Sequence, residues 1–122
     1  MTLQELYQNI GGDYEMALRI LRVEKLMDKH IRKFTKNGVV EKLLAAGESM
    51  DPKELFECAH AMKGNCGNLG LKELADLASE IAEEFRPGSP RKLTNEEVAE
   101  RIGKIGALYR TAQEGIRRYE EG

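Results

Sequence analysis

One histidine in this sequence is flanked as a nucleophile would be. His60 stands in the run "CAHAMKGNCGNLG", Cys58 to Gly70. An exposed imidazole is mostly neutral near pH 7, since its reference pKa is about 6.5. It is then a competent nitrogen nucleophile, and its natural covalent cargo is a phosphoryl group. Lys63 follows three residues later, the spacing that puts two helical side chains on neighbouring positions of one face. Helical side chains lean toward the N-terminus, so Lys63 leans back toward His60. Its ammonium would stabilise the negative oxygens of a phosphorylated nitrogen. Gly64 and Gly67 complete the pattern. A side chain at 64 would lie over His60, and one at 67 over Lys63. Each interior glycine costs roughly 1 kcal/mol of helix propensity relative to alanine. Bare backbone around the pair would let another protein bring an acceptor carboxylate close. An ordinary surface histidine is the competing reading, and the lysine and two glycines weigh against it.

These residues need a helix that faces two ways. At roughly 100° per residue, Leu55, Cys58, Ala59, Met62, Cys66 and Leu69 form one stripe, which should face a core. His60 falls roughly 150° from the centre of that stripe and should point to solvent, with Lys63, Gly64 and Gly67 on its side. Phe56 flanks the motif, either as a partner contact or as cover for a helix junction. Gly70 either belongs to the small positions of the motif or marks the helix end.

The neighbouring sequence supplies the other elements. Thr2 and Glu5 form a capping box for a first short helix, which Gly11 and Gly12 end. Asp13 should cap a second, long helix to about Thr35, with the stripe Met16, Ile20, Val23, Met27, Ile31 and Phe34. Asn37-Gly38 breaks it. Val39 to Leu44 make a short helix that should stop at Gly47. "DPKE" opens the helix of the motif, with Asp51 as cap, Pro52 at the first position and Glu54 closing the box. Leu71, Leu74, Ala78, Ile81 and Phe85 stripe the next helix, and "RPGSP" ends it. "TNEE" caps the last, striped by Val98, Ile102, Ile105, Tyr109, Ala112, Ile116 and Tyr119. The expected fold is all-α, an antiparallel four-helix bundle with a short extra N-terminal helix, as one domain over residues 1–122.

Composition narrows the function classes. The 122 residues are 33% charged and 6% aromatic, with no Trp and a formal net charge of −2. No basic excess supports nucleic-acid binding. No stretch approaches the ~20 apolar residues of a membrane span. The N-terminus reads as an amphipathic helix, not a signal peptide. Two cysteines are too few for a disulfide framework. A cytoplasmic monomer with free, buried thiols is the expectation. His30 should be a partly exposed structural residue at the rim of its helix's stripe. No metal site should form from His30, Cys58, His60 and Cys66, because the cysteines point inward and His60 outward. No glycine-rich loop after a strand and no Walker-type motif is present. The chain should therefore not phosphorylate itself from ATP.

"HAMKGNCGNLG" resembles the signature of the histidine-containing phosphotransfer (HPt) domain, H-x-x-K-G followed by small residues. The resemblance implies a four-helix bundle that presents one phosphorylatable histidine in His–Asp signalling. It implies His60 as phospho-acceptor, Lys63 as the phosphate-stabilising cation, and Gly64 and Gly67 as positions that keep the site open. It implies a response-regulator receiver domain, a hybrid histidine kinase, or both as partners, with no cofactor in this chain and any Mg²⁺ supplied by the receiver. Asn65 departs from the usual alanine or serine, and Leu71 stands where a small residue is common. Both put partner specificity in question more than activity. Two alternatives stay open: a helical adaptor that binds a receiver without accepting phosphate, and a phosphotransfer module excised from a larger kinase. The start at Met1 and the lack of linkers lean toward a free-standing protein.

Overall fold

Thr2 starts the chain's first helix as its residue type requires. Its hydroxyl accepts from the Glu5 amide at 3.1 Å, and the Glu5 carboxylate accepts from the Thr2 amide at 2.8 Å. In the computed structural model, which describes residues 1–122, seven helices follow in order. They are α1 (Leu3–Ile10), α2 (Tyr14–Leu21), α3 (Glu24–Phe34), α4 (Val39–Ser49), α5 (Pro52–Asn68), α6 (Lys72–Glu84) and α7 (Asn95–Glu121). No residue forms a strand. α4, α5, α6 and α7 pack in a closed ring, each against two neighbours. Short turns join α4 to α5 and α5 to α6, so successive helices run antiparallel. α1 lies against α7, and α2 against α5. One apolar core draws on all seven helices, with Leu6, Met27, Ile31, Leu43, Leu55, Met62, Ile81 and Ile105 wholly inaccessible.

The architecture agrees with the all-α four-helix bundle expected from the sequence, with three differences. The long helix expected from Asp13 to Thr35 is two helices. Arg22 takes φ +75°, a left-handed conformation that costs a non-glycine residue about 1–3 kcal/mol. The break turns the stripe: Ala17 is buried where Met16 was expected, and Ile20 and Val23 are exposed. Tertiary contacts on both sides hold it. The Asp13 amide donates to the Gly70 carbonyl at 2.8 Å, and the Tyr14 hydroxyl bonds the Glu24 carboxylate of α3. The fourth member of the ring is consequently α4, not the long helix. Second, α4 runs through Gly47 to Ser49, and Met50 ends it at φ +55°. Gly47 is there for space: a Cβ would stand 2.7 Å from Ile102 Cδ1 of α7. Third, Asp51 caps α5 by accepting from the Lys53 amide at 3.0 Å, without the reciprocal bond expected from Glu54.

The long connection from Phe85 to Thr94 is tied down by Glu84, a buried carboxylate. It accepts from Arg91 Nε at 2.5 Å and from the Lys92 and Leu93 amides at 3.0 and 2.9 Å. Arg91 also covers the Phe85 ring at 4.5 Å. Burial alone would raise the Glu84 pKa; the Arg91 guanidinium and the two amides outweigh it and hold the carboxyl below its ordinary 4.5. A depressed folded-state pKa adds stability above the unfolded value and loses it as pH falls through the folded one. Glu84→Ala should therefore cost about 1.5–3 kcal/mol at pH 7, the range for hydrogen bonds to a charged group. The gap between wild type and variant in denaturant titrations should narrow below pH ~4. A variant as stable as wild type at pH 7 would show that the connection is held by other contacts.

Candidate functional site

Leu55, Ala59, Met62 and Cys66 are wholly buried, which fixes the rotation of α5 about its axis. Cys58, expected in that stripe, is only half-buried at its edge. The opposite face carries His60, Lys63 and Gly64, all exposed, with Gly67 half-exposed beside them. The structure thus brings the four site residues expected from the sequence onto one outward face.

The Phe56 ring lies under the imidazole one turn earlier, with centroids 5.7 Å apart and planes 16° from parallel. The spacing of four residues was the available sequence signal for this stack, and neither role weighed for Phe56 included it. Both faces of Phe56 matter: it is half-buried against the core and gives His60 an apolar rest. His60 forms no hydrogen bond within the chain, so neither ring nitrogen is engaged by a neighbour. Lys63 forms no ion pair, unlike the Lys36 and Arg32 cations that reach Glu120 and Asp28. An unengaged cation one turn from an unengaged imidazole is available to incoming anionic oxygens.

At both Gly64 and Gly67 the backbone is ordinary helix, and a Cβ would meet nothing within 4 Å. Neither glycine is required by local conformation or by packing. Gly70 is different. Its φ is +70°, and a Cβ would stand 2.4 Å from the Asp13 carbonyl oxygen. It ends α5, where the Leu71 amide bonds back to the Cys66 carbonyl at 2.9 Å. Gly70 is therefore the helix end and the seat of α2, not part of the open face.

The remaining candidates separate cleanly. Asn65 donates to the Ala61 carbonyl at 2.9 Å and accepts from Asn37 Nδ2 at 3.4 Å, tying α5 to the turn before α4. Leu71 is buried between α5 and α6. Both cysteines are free thiols. Burial, with Glu54 and Glu57 nearby, raises the Cys58 pKa despite Lys42, and burial pushes Cys66 up to about 12. Neither thiol is a thiolate near neutral pH. No group of three or more His, Cys, Asp or Glu side chains converges as a metal site. His30 is exposed at the rim of the Met27, Ile31 and Phe34 stripe, as expected, and lines a cleft beside α5 with Lys33. Tyr109 is buried and donates to Glu41 at 2.7 Å, while half-buried Tyr119 donates to Asp28 at 2.5 Å; both pack as structural residues. No helix is long and apolar enough to cross a membrane.

Comparison with known proteins gives one positive finding. A family model described as the Hpt domain matches residues 22–116, which include the whole of α3 to α6, the His60 motif and most of α7. No curated protein and no solved structure matches the chain. The match covers more than three quarters of the sequence and the whole of the helix that carries His60 and Lys63, and on that match the chain belongs to the Hpt domain family.

Proposed function

We propose that this protein relays a phosphoryl group between His60 and a receiver-domain aspartate in a two-component phosphorelay. Phosphotransfer in such relays is what membership of the Hpt family implies. The observation that carries the residue assignment is the free, exposed His60 imidazole on a face where two glycines leave the backbone bare.

In this reading a ring nitrogen of His60 attacks the phosphorus of the partner's aspartyl phosphate. The P–O bond to the aspartate breaks as the P–N bond forms, and the carboxylate leaves with the electron pair. The reverse step returns the phosphoryl group to an aspartate. The transferring group spreads negative charge over its three equatorial oxygens. Lys63, lying one turn away and unpaired, supplies the compensating charge from this chain. Phe56 limits how far the imidazole can tilt toward α5. Mg²⁺ belongs to the receiver in this scheme, and the chain takes its phosphoryl group from a phosphorylated partner. Partners are a receiver domain, a hybrid histidine kinase, or both. The adaptor reading predicts the same docking face without transfer. It gives no reason for Lys63 to stand beside His60, which favours transfer.

His60→Gln should stay folded and accept no phosphate from a phosphorylated receiver, measured as acid-labile label on this chain. Undiminished labelling of that variant, or labelling lost instead in His30→Gln, would move the acceptor elsewhere. Lys63→Ala should still be labelled, but with transfer slowed or phosphohistidine lifetime shortened by between tenfold and a hundredfold. That range corresponds to the roughly 1.5–3 kcal/mol of a hydrogen bond to a charged group. Unchanged rate and lifetime would make Lys63 a bystander.

A further inference from the structure

A cleft of about 330 Å³ runs between α3 and α5, beside the site and outside the scheme above. Its polar lining is His30 and Lys33 from α3, Asn37 from the turn that follows, and Asn65 and Asn68 from α5. No carboxylate lines it. Lys33 makes no ion pair, although its neighbours Arg32 and Lys36 are taken up by Asp28 and Glu120. His30 and the Asn68 amide make no side-chain hydrogen bond. The carbonyls that end the two helices do not cancel this donor set. The Lys33 carbonyl is bonded by the Lys36 and Asn37 amides, and the Cys66 carbonyl by the Leu69 and Leu71 amides. The unengaged polar side chains of the cleft are His30, Lys33 and Asn68, since the Asn37 and Asn65 amides already bond within the chain; a lysine and an amide N–H without partners suit an anionic oxygen.

Its position connects it to His60. Asn65 and Asn68 follow His60 on α5 by five and eight residues, roughly 8 and 12 Å along the axis. On the other side the cleft meets the α2–α3 elbow through Leu21. That elbow exposes Ile20, Val23 and Leu26 at 45, 50 and 39%, and apart from Met1 they are the exposed large apolar residues of the chain. Residues 19–36 hold seven Lys or Arg against two acids, a net +5 in a chain of net −2. A partner surface that is acidic with an apolar margin complements this region in charge and in polarity. The phosphorylated aspartate that a receiver presents to His60 is itself anionic, so docking brings negative charge toward this region.

We propose that the α3–α5 cleft is a specificity pocket that takes an acidic side chain of the receiver docked over His60, with Ile20, Val23 and Leu26 as its apolar margin. This rests on the phosphotransfer reading above. It also gives Asn65 a role: its bond to Asn37 holds one wall of the cleft.

The test compares wild type with Lys33→Glu, Asn68→Asp and, on the far side of the bundle, Lys104→Glu. Phosphate is supplied in two ways. One is the receiver that labels wild type fastest from a panel. The other is phosphoramidate, whose P–N bond breaks as its phosphoryl group passes to the imidazole and ammonia leaves. The expected result is an apparent KM for the receiver raised at least tenfold by Lys33→Glu and Asn68→Asp. Their maximal rate and their labelling by phosphoramidate should match wild type, and Lys104→Glu should change nothing. Adding salt should weaken receiver binding to wild type more than to Lys33→Glu. An unchanged KM in both cleft variants overturns the proposal. So does a loss of phosphoramidate labelling equal to the loss with the receiver in variants whose thermal stability is unchanged, which would place the effect of Lys33 and Asn68 at His60 and not at a receiver contact. A wild-type chain that no receiver labels removes the phosphotransfer reading and this proposal together; a labelled wild type with unmoved cleft variants removes the cleft alone.

Discussion

Everything in this molecule depends on the rotation of one helix. α5 has to bury one face and leave the other bare, and no intermediate setting serves. Turning it by a single residue would swing His60 by about 100° and carry it toward the α4 or α6 flank. The rotation is set by four inaccessible side chains, Leu55, Ala59, Met62 and Cys66. Each is worth roughly 1.5–3 kcal/mol of burial for the larger residues, so a rotated α5 would lose several at once. The ends of the helix are fixed as well. Asp51 caps its start, and Gly70 brings its last turn against Asp13 and Ala17.

The open face works against the stability of the same helix. Two interior glycines, at roughly 1 kcal/mol each, remove propensity from a segment that has no compensating packing on that side. The surrounding bundle supplies what α5 gives up. α4 and α6 flank it on either side, and α7, the longest helix, closes the ring behind. Gly47 lets α4 approach Ile102 of α7 closely, and Glu84 gathers the connection between α6 and α7. Such a rigid support keeps the imidazole on its Phe56 platform in a defined direction, which a docking partner needs more than it needs a deep pocket.

The outward residues of α5 were legible in the sequence because their logic is local. A 3.6-residue period separates His60, Lys63, Gly64 and Gly67 from the buried stripe without knowledge of any other helix. Capping by Thr2, Asp13, Asp51 and Thr94 was legible for the same reason. What periodicity could not supply was the break at Arg22. The apolar residues from Met16 to Phe34 keep helical spacing through it, and only the seat of α2 on Gly70 and the Tyr14–Glu24 bond displace the local preference. Gly47 misled in the opposite sense, since a glycine chosen for a close helix crossing looks like one chosen to end a helix. Nor could the pairing of His30 and Lys33 with Asn65 and Asn68 be read in advance, because it follows from how α3 lies beside α5.

Gly64 meets no backbone or packing need, and in the phosphotransfer reading it keeps His60 reachable. The direct measurement is thermal stability and receiver-to-His60 transfer rate across Gly64→Ala and Gly64→Gln. With helical φ and no atom within 4 Å of a Cβ at this position, alanine should leave stability unchanged or raise it by up to ~1 kcal/mol. Glutamine should also fold, yet lean over His60 and slow transfer more than alanine does. Stability kept while the rate falls with side-chain size is the predicted pattern. Unfolding of Gly64→Ala, or transfer by Gly64→Gln at the wild-type rate, would contradict it.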